Sequence, residues 1–463
     1  MNKRILAALA TVIIVLAAFV AMWQLNLFSP APSEEARNLK IGIVAGMQTV
    51  EGQDIERAAQ LAIDEINAEG GIWVEEWHTK VEISAILVDT VDDAAGSTAG
   101  PVTRAITDQG VDILIGGATT GGTLNGQIPA ITKRVPFIIT GASLNLVTRR
   151  GNLPEGNPLR IDDAEGMSYM FHYCTTISDY SETVAHFLAD SVKPTLDSTY
   201  SLDSSRKLRL AVLYRDDGYG RGVRDVTSSI IAEDSLPIQV VANVSYATTA
   251  TTYQSQLISV KESNPDAVYI AGFTADTAEA IKEGIEDVGL KSLYIAVEIC
   301  EDPQFYMLLG ETGAGQILES KIATQWQGDT WYLPKVQTYV ENYKQTYDGK
   351  IPGMLGADTY DAVYIVKDAI EKAGTLNKTN VRDALETTDM PQSLLIMENE
   401  RITFSVGTNY HEILPKTFIE QLSWDTTAEE LKPYVVYPAS MPGISSFKQA
   451  DFALPPGYEP GTP

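Results

Sequence analysis

The sequence predicts an α/β fold of two doubly wound, Rossmann-like lobes, each built on a parallel sheet. Three observations carry this. Residues 111–143 (VDILIGGATTGGTLNGQIPAITKRVPFIITGAS) read as apolar strand, small polar turn, amphipathic segment, apolar strand and second small polar turn, which is a βαβ unit. The same alternation restarts and runs over 208–297 with a similar period. At 463 residues the chain is also longer than one core usually supports.

In order, 39–45 (LKIGIVA) is a buried first strand. Residues 53–68 then place Ile55, Ala59, Ala62, Ile63 and Ile66 on one helical face, and Gly70 and Gly71 stop that helix. Residues 81–88 make the second strand, 101–109 a helix opening on Pro101, and 111–115 and 135–139 the strands of the βαβ unit. The insertion 152–168 matches no element. Residues 171–181 cross to the second lobe, 182–189 begin a helix, and polar 193–206 read as loop. The second array follows: strand 208–214, turn 215–222 and helix; strand 238–243, helix 253–263; strand 267–271, turn 272–277, helix 278–288; strand 292–297, acidic turn 298–302. Helices are expected at 335–347, 358–372 and 379–386, the last capped by Thr379 or Asn380, with late strands at 401–404 and 417–422. The Pro-rich end from Pro438 reads as a poorly ordered tail.

Composition narrows the function. A hydrophobic fraction of 44% is ordinary for a globular protein, and a net charge of -27 argues against nucleic acid, whose phosphates it would repel. Lys3 and Arg4 precede an uncharged run at 5–23, long enough to span a bilayer, with positive charge on the inner side. The reading favours an anchor retained in the membrane, with cleavage as a signal segment the alternative; 29–37 then form a short tether. Cys174 and Cys300 are the only cysteines, either paired or free and buried, and four scattered histidines show no metal spacing.

In an open parallel sheet, ligands bind beyond the carboxyl ends of the strands, where the turns 116–122 and 140–143 fall. Their glycines allow close approach to the backbone, and the hydroxyls of Thr119, Thr120, Thr123 and Ser143 at a helix start suit an anion. Without a lysine or a GxxxxGK[ST] pattern, a carboxylate fits better than a nucleotide phosphate. Neither a GxSxG elbow nor a histidine in a strand-end turn is present, so a hydrolase has no obvious base.

Taken together, 62–72 (AIDEINAEGGI), 89–93, 111–123, 136–143, 216–222 (DDGYGRG), 266–272 and 358–369 (DTYDAVYIVKDA) resemble the substrate-binding proteins of branched-chain amino acid ABC transporters. The resemblance implies the type I periplasmic binding protein fold, two lobes joined by a multi-strand hinge. It implies an α-carboxylate held at Thr119 and Thr120, a carbonyl and hydroxyl from Ala142 and Ser143, an aromatic at Tyr219, and an ammonium partner at Glu298, with Glu301 or Asp302 as alternatives. Phe273 stands where that family often has tyrosine, and the position near Val50 and Glu51 lacks the usual aromatic, so the side-chain preference need not be aliphatic. The implied organisation is an anchor or signal segment at 1–28, a linker at 29–38, a first lobe from 39–172 and 328–395, a second lobe from 173–327, hinge completion at 396–440 and a tail at 441–463. The expected protein is a non-enzymatic binder of an amino acid or related carboxylate, outside the cytoplasm, working with a permease and needing no cofactor or metal. A ligand-sensing ectodomain of the same fold is the alternative.

Overall fold

Strands β1 (Leu39–Ala45), β2 (Ile83–Asp89), β3 (Ile113–Gly116), β4 (Phe137–Ile139) and β5 (Met170–His172) form a five-stranded sheet in the order β2-β1-β3-β4-β5, every pair parallel. Its inner strands are unbroken apolar runs because both faces are covered. Ile41, Ile43, Ile113 and Ile115 pack with Ile55 and Ala59 of α1 (Val50–Ala68), whereas Val44 and Leu114 pack with Val102 of α2 (Ala99–Thr107) and Leu124 of α3 (Thr120–Lys133). The chain is described from a computed structural model at residues 38–92, 94, 96–320, 333–406, 411–441, 444 and 449–462. The expected N-terminal anchor and nearly all of the linker lie outside these residues; among those described, no helix is long and apolar enough to cross a membrane.

Chain 177–200 connects the sheets as helices α4 (Ile177–Phe187) and α5 (Lys193–Tyr200), joined by a π-helical turn at Leu188–Val192. The expected loop at 193–206 is therefore helical up to Tyr200. Pro194 reads as a breaker because it lacks an N–H and its ring crowds the preceding turn, and the wider π turn just before it makes room. The second sheet has seven strands: β6 (Leu208–Arg215), β7 (Ile238–Tyr246), β8 (Ala267–Ala271), β9 (Leu293–Ala296), β10 (Ile317–Ser320), β11 (Phe418–Asp425) and β12 (Glu430–Tyr437), ordered β12-β11-β10-β9-β8-β6-β7. The pairs β10/β11 and β11/β12 are antiparallel and the others parallel. Helices α6 (Gly218–Glu233), α7 (Gln254–Glu262), α8 (Thr274–Lys282) and α9 (Pro303–Leu309) follow successive strands of this array.

After residues 321–332 the chain returns to the first sheet. Helices α10 (Pro334–Thr346) and α11 (Met354–Ala373) pack on α1, with Tyr343 Oη donating to Asp54 at 2.7 Å and Tyr360 and Tyr364 both donating to Glu65. Helix α12 (Lys378–Glu386) is capped by Asn377, whose side chain accepts from the N–H groups of Thr379 and Asn380, the two residues expected to cap it. The late strand expected at 401–404 is reduced to Arg401–Ile402, paired with Met390–Pro391. The unplaced insertion carries a short helical turn, Ala164–Met167, whose cap Asp163 forms an ion pair with Arg134 at the end of α3 (2.8 Å). Neither Cys174 nor Cys300 is in a disulfide, and both are buried.

The poorly ordered tail expected from Pro438 is corrected for 449–462. The Ala450 N–H donates to the Val435 carbonyl (2.7 Å), Gln421 Nε2 to the Ala453 carbonyl (2.6 Å) and the Gly461 N–H to Asp266 (2.9 Å), while Tyr458 is buried. The tail covers the β12 edge, which would otherwise present unpaired backbone groups.

Candidate functional site

The carboxyl ends of the two parallel arrays face a cleft of about 820 Å³. On the first wall, β3 ends in Gly116 and Gly117, whose φ values of 109° and 86° place them in the left-handed region. Gly116 also allows a close approach, since a Cβ there would lie 2.3 Å from the Val44 carbonyl oxygen. This tight turn delivers the chain to the start of α3. Thr119 caps that helix, accepting from the Gly122 N–H at 3.0 Å. Thr120 follows, a residue only 4% exposed, and its Oγ1 has no hydrogen-bond partner among the described residues. A buried hydroxyl at a helix N-terminus is a donor without an acceptor, in the place where an anion is favoured.

The second wall is aromatic and charged. Asp217 caps α6 by accepting from Gly220 (2.9 Å), which sets Tyr219 in the first helical turn. Tyr219 stacks on Phe273, the cap residue of α8, with ring centroids 5.7 Å apart and planes 27° apart. The Arg215 guanidinium lies over the Phe273 ring at 4.7 Å and pairs with Asp217 (2.9 Å) and Asp276 (3.3 Å). Burial, and then the Glu298 carboxylate, hold the Tyr219 phenol well above its ordinary pKa, so it is a neutral donor. The walls meet closely, for a Cβ on Gly218 would come within 3.7 Å of the Thr120 methyl.

Thr119, Thr120, Tyr219 and Phe273 thus line one cleft, from strand ends far apart in sequence. Ala142, Ser143 and Glu298 are not in its wall. Ser143 Oγ donates to Glu298 Oε1 at 2.9 Å, and both residues are buried, at 3% and 1% exposure. The Ala142 carbonyl accepts from His172 Nε2 (2.9 Å). The hydroxyl and carboxylate expected to grip a ligand from opposite sides therefore hold each other.

Several lining residues have no counterpart in the sequence reading: Arg215, Asp276, Gln304 and the loop 248–251. Glu51, noted only for a missing aromatic, lies in the first turn of α1 and faces the Thr274 hydroxyl and N–H across the cleft. Burial, reinforced by Asp276, raises its carboxyl above the usual range, although the Thr274 contacts oppose this. Outside the cleft lining, a Cβ on Gly353 would touch Asp302 (2.6 Å) and Asp54 (3.1 Å), so these two carboxylates are neighbours. Burial first, then the Asp54 and Glu51 carboxylates, push Asp302 up to about 7, and burial pushes Asp54 up to about 6 despite its bonds from Tyr343, Gly353 and Gly356.

The described residues hold no group of three or more histidine, cysteine or acidic side chains placed to bind a metal. The arrangement can enclose a small polar solute, with unpaired donor capacity at Thr120 on one wall, rings on the other and carboxylates on both.

Residues 39–405 match the periplasmic binding protein family. Leu/Ile/Val-binding protein homolog 7 of Brucella abortus (strain 2308) is 22% identical over 344 residues, spanning 73% of this chain and 77% of that protein. Among solved structures, the branched-chain amino acid transporter substrate-binding protein LivJ of Streptococcus pneumoniae, in complex with isoleucine, superposes with a TM-score of 0.66 at 19% identity, covering 87% of this chain and 100% of that one. An ABC transporter solute-binding protein of Rhodopseudomonas palustris BisB5, in complex with 3,4-dihydroxybenzoic acid, gives a TM-score of 0.67 at 16% identity, covering 91% of this chain and 99% of that one. With two α/β sheets facing one cleft and a family match over most of its length, the chain belongs to the periplasmic binding protein family, as its resemblance to the branched-chain amino acid substrate-binding proteins implied.

Proposed function

We propose that this protein is the extracytoplasmic binding component of an ABC transporter, which captures an amino acid or similar small carboxylate between its lobes and presents it to a permease. The observation that carries this reading is Thr120. Its buried hydroxyl has no partner among the described residues, sits at the N-terminus of a 14-residue helix and lines the cleft. A ligand carboxylate supplies the acceptor it lacks, and the helix end favours the negative charge. Closure around the ligand then distinguishes loaded from empty protein for the permease. The packing of α10 and α11 on α1 supports the return of 328–395 to the first lobe. The uncharged run at 5–23 supports tethering to the membrane.

The test is a thermal-shift screen of the chain from Leu39 onward against amino acids, organic acids, sugars and nucleosides, since a ligand that binds only the folded state raises apparent stability. Amino acids or small carboxylates are expected to raise Tm and to be recovered chemically unchanged. Stabilisation confined to sugars or nucleosides, or turnover of a stabilising ligand, overturns the proposal.

A further inference from the structure

The cleft is far more acidic than the chain that forms it. Its described lining carries Glu51, Asp92, Asp217, Asp276 and Glu279 against the single guanidinium of Arg215. The whole chain has 61 acidic and 34 basic residues, a ratio below two, so the excess in the cleft is not the average surface repeated there. Arg215 is also spent, paired with both Asp217 and Asp276. Glu51 differs from the exposed Asp92 and Glu279 because it is half-buried and meets a second carboxylate, Asp276, from across the cleft. A carboxylate in that position is costly unless a cation joins it. Acidity alone names no ligand, but a buried hydroxyl in the same cleft, Thr120 Oγ1, has no hydrogen-bond partner among the described residues.

We infer that the ligand is an α-amino acid whose side chain ends in a cation, an ammonium or guanidinium, with its α-carboxylate at Thr120 and its side-chain cation at Glu51. The inference rests on reading the cleft as the ligand site and adds the chemical class of the side chain. The aromatic pair Tyr219 and Phe273 lies in the same wall, able to cover the aliphatic stem and to receive positive charge on a ring face. Simple organic acids are disfavoured here, for they meet the same carboxylates with no charge to offer them.

The test compares ligands of matched shape by calorimetry on the wild-type protein: L-lysine, L-arginine, and L-norleucine, which keeps the straight stem and lacks the cation. L-lysine or L-arginine is expected to bind roughly thirty-fold or more tightly than L-norleucine. In Glu51→Gln that advantage is expected to collapse, while the unliganded protein keeps its Tm because the glutamine carbonyl still accepts from Thr274. If Glu51→Gln does not fold, the wild-type ratio alone decides. L-norleucine, L-leucine or benzoate binding as tightly as L-lysine overturns the inference and leaves the cleft reading standing. If no amino acid or organic acid binds at all, both fall together.

Discussion

Helix starts on the two walls of the cleft, α3 on one and α6 and α8 on the other, repeat one piece of local architecture and give it opposite chemistry. On each, a parallel strand ends in a tight turn and enters a helix N-terminus. The start of α3 bears Thr119 and Thr120 and no acidic residue in its first turn. The starts of α6 and α8 already hold carboxylates, Asp217 as a cap on Gly220 and Asp276 accepting from the Phe273 N–H at 2.8 Å. A helix end that carries its own acid has its partial positive charge matched from within, whereas one capped by a neutral hydroxyl still favours an outside anion. The difference teaches that helix termini in a cleft are not interchangeable anion sites, because the cap residue decides which of them a ligand can use.

The largest effect should come from making the start of α3 like those of α6 and α8. Thr119→Asp keeps a good N-cap but places a carboxylate where the ligand's carboxylate is expected, so binding of any carboxylate ligand should weaken roughly a hundred-fold with unfolding midpoints nearly unchanged. Calorimetry beside thermal melts separates the two, and undiminished binding would show that the anion goes elsewhere. Thr120→Val sharpens the comparison more gently. If the hydroxyl serves the ligand, its removal costs about ten-fold in affinity and leaves the unliganded protein as stable or up to about 1 kcal/mol more stable, since a buried unsatisfied group disappears. A loss of stability with unchanged affinity would make Thr120 a structural residue.

The smallest effect concerns a carboxylate pair outside the cleft lining and its pH dependence. Asp302 and Asp54 are raised from 3.8 to about 7 and about 6. A carboxyl raised on folding contributes stability that is present below its unfolded pKa and is lost as pH rises through its folded value. The contribution of this pair therefore declines between about pH 4 and pH 7. His411, lowered by burial to about 4, works in the opposite sense over part of that window, so the informative quantity is a difference between variants. Asp302→Asn, which can still accept from the Gln304 N–H, should flatten the fall in Tm between pH 5 and pH 8 relative to wild type. An unchanged slope would mean that Asp302 does not titrate with folding.

The strands most readily legible in the sequence were those buried on both faces, such as β1, β3 and β8, because a parallel strand between two helix layers must be apolar throughout. Strands β10 and β12 escaped for a physical reason. Four residues holding Glu319, and eight holding Glu430, Lys432 and Pro433, lack the apolar run, and an edge strand tolerates proline where an inner one would not. The cap of α12 was displaced from Thr379 to Asn377 because helix ends are set by which side chain reaches the first free N–H groups. The tail read as disordered from its prolines, yet its backbone finds partners on β11 and β12 that no local pattern announces.

By itself the sequence determined the alternation of strand and helix, the two successive arrays, and the placement of Thr119, Thr120, Tyr219 and Phe273 at strand-to-helix turns, since these follow from periodicity and turn residues within a few positions of each other. Only the tertiary structure decided that Ser143 and Glu298, 155 residues apart, satisfy one another, and that Glu51 of α1 faces Thr274 and Asp276 of α8. Such pairings depend on how the two sheets are packed against each other, and a contact across a cleft leaves no period in either segment that makes it.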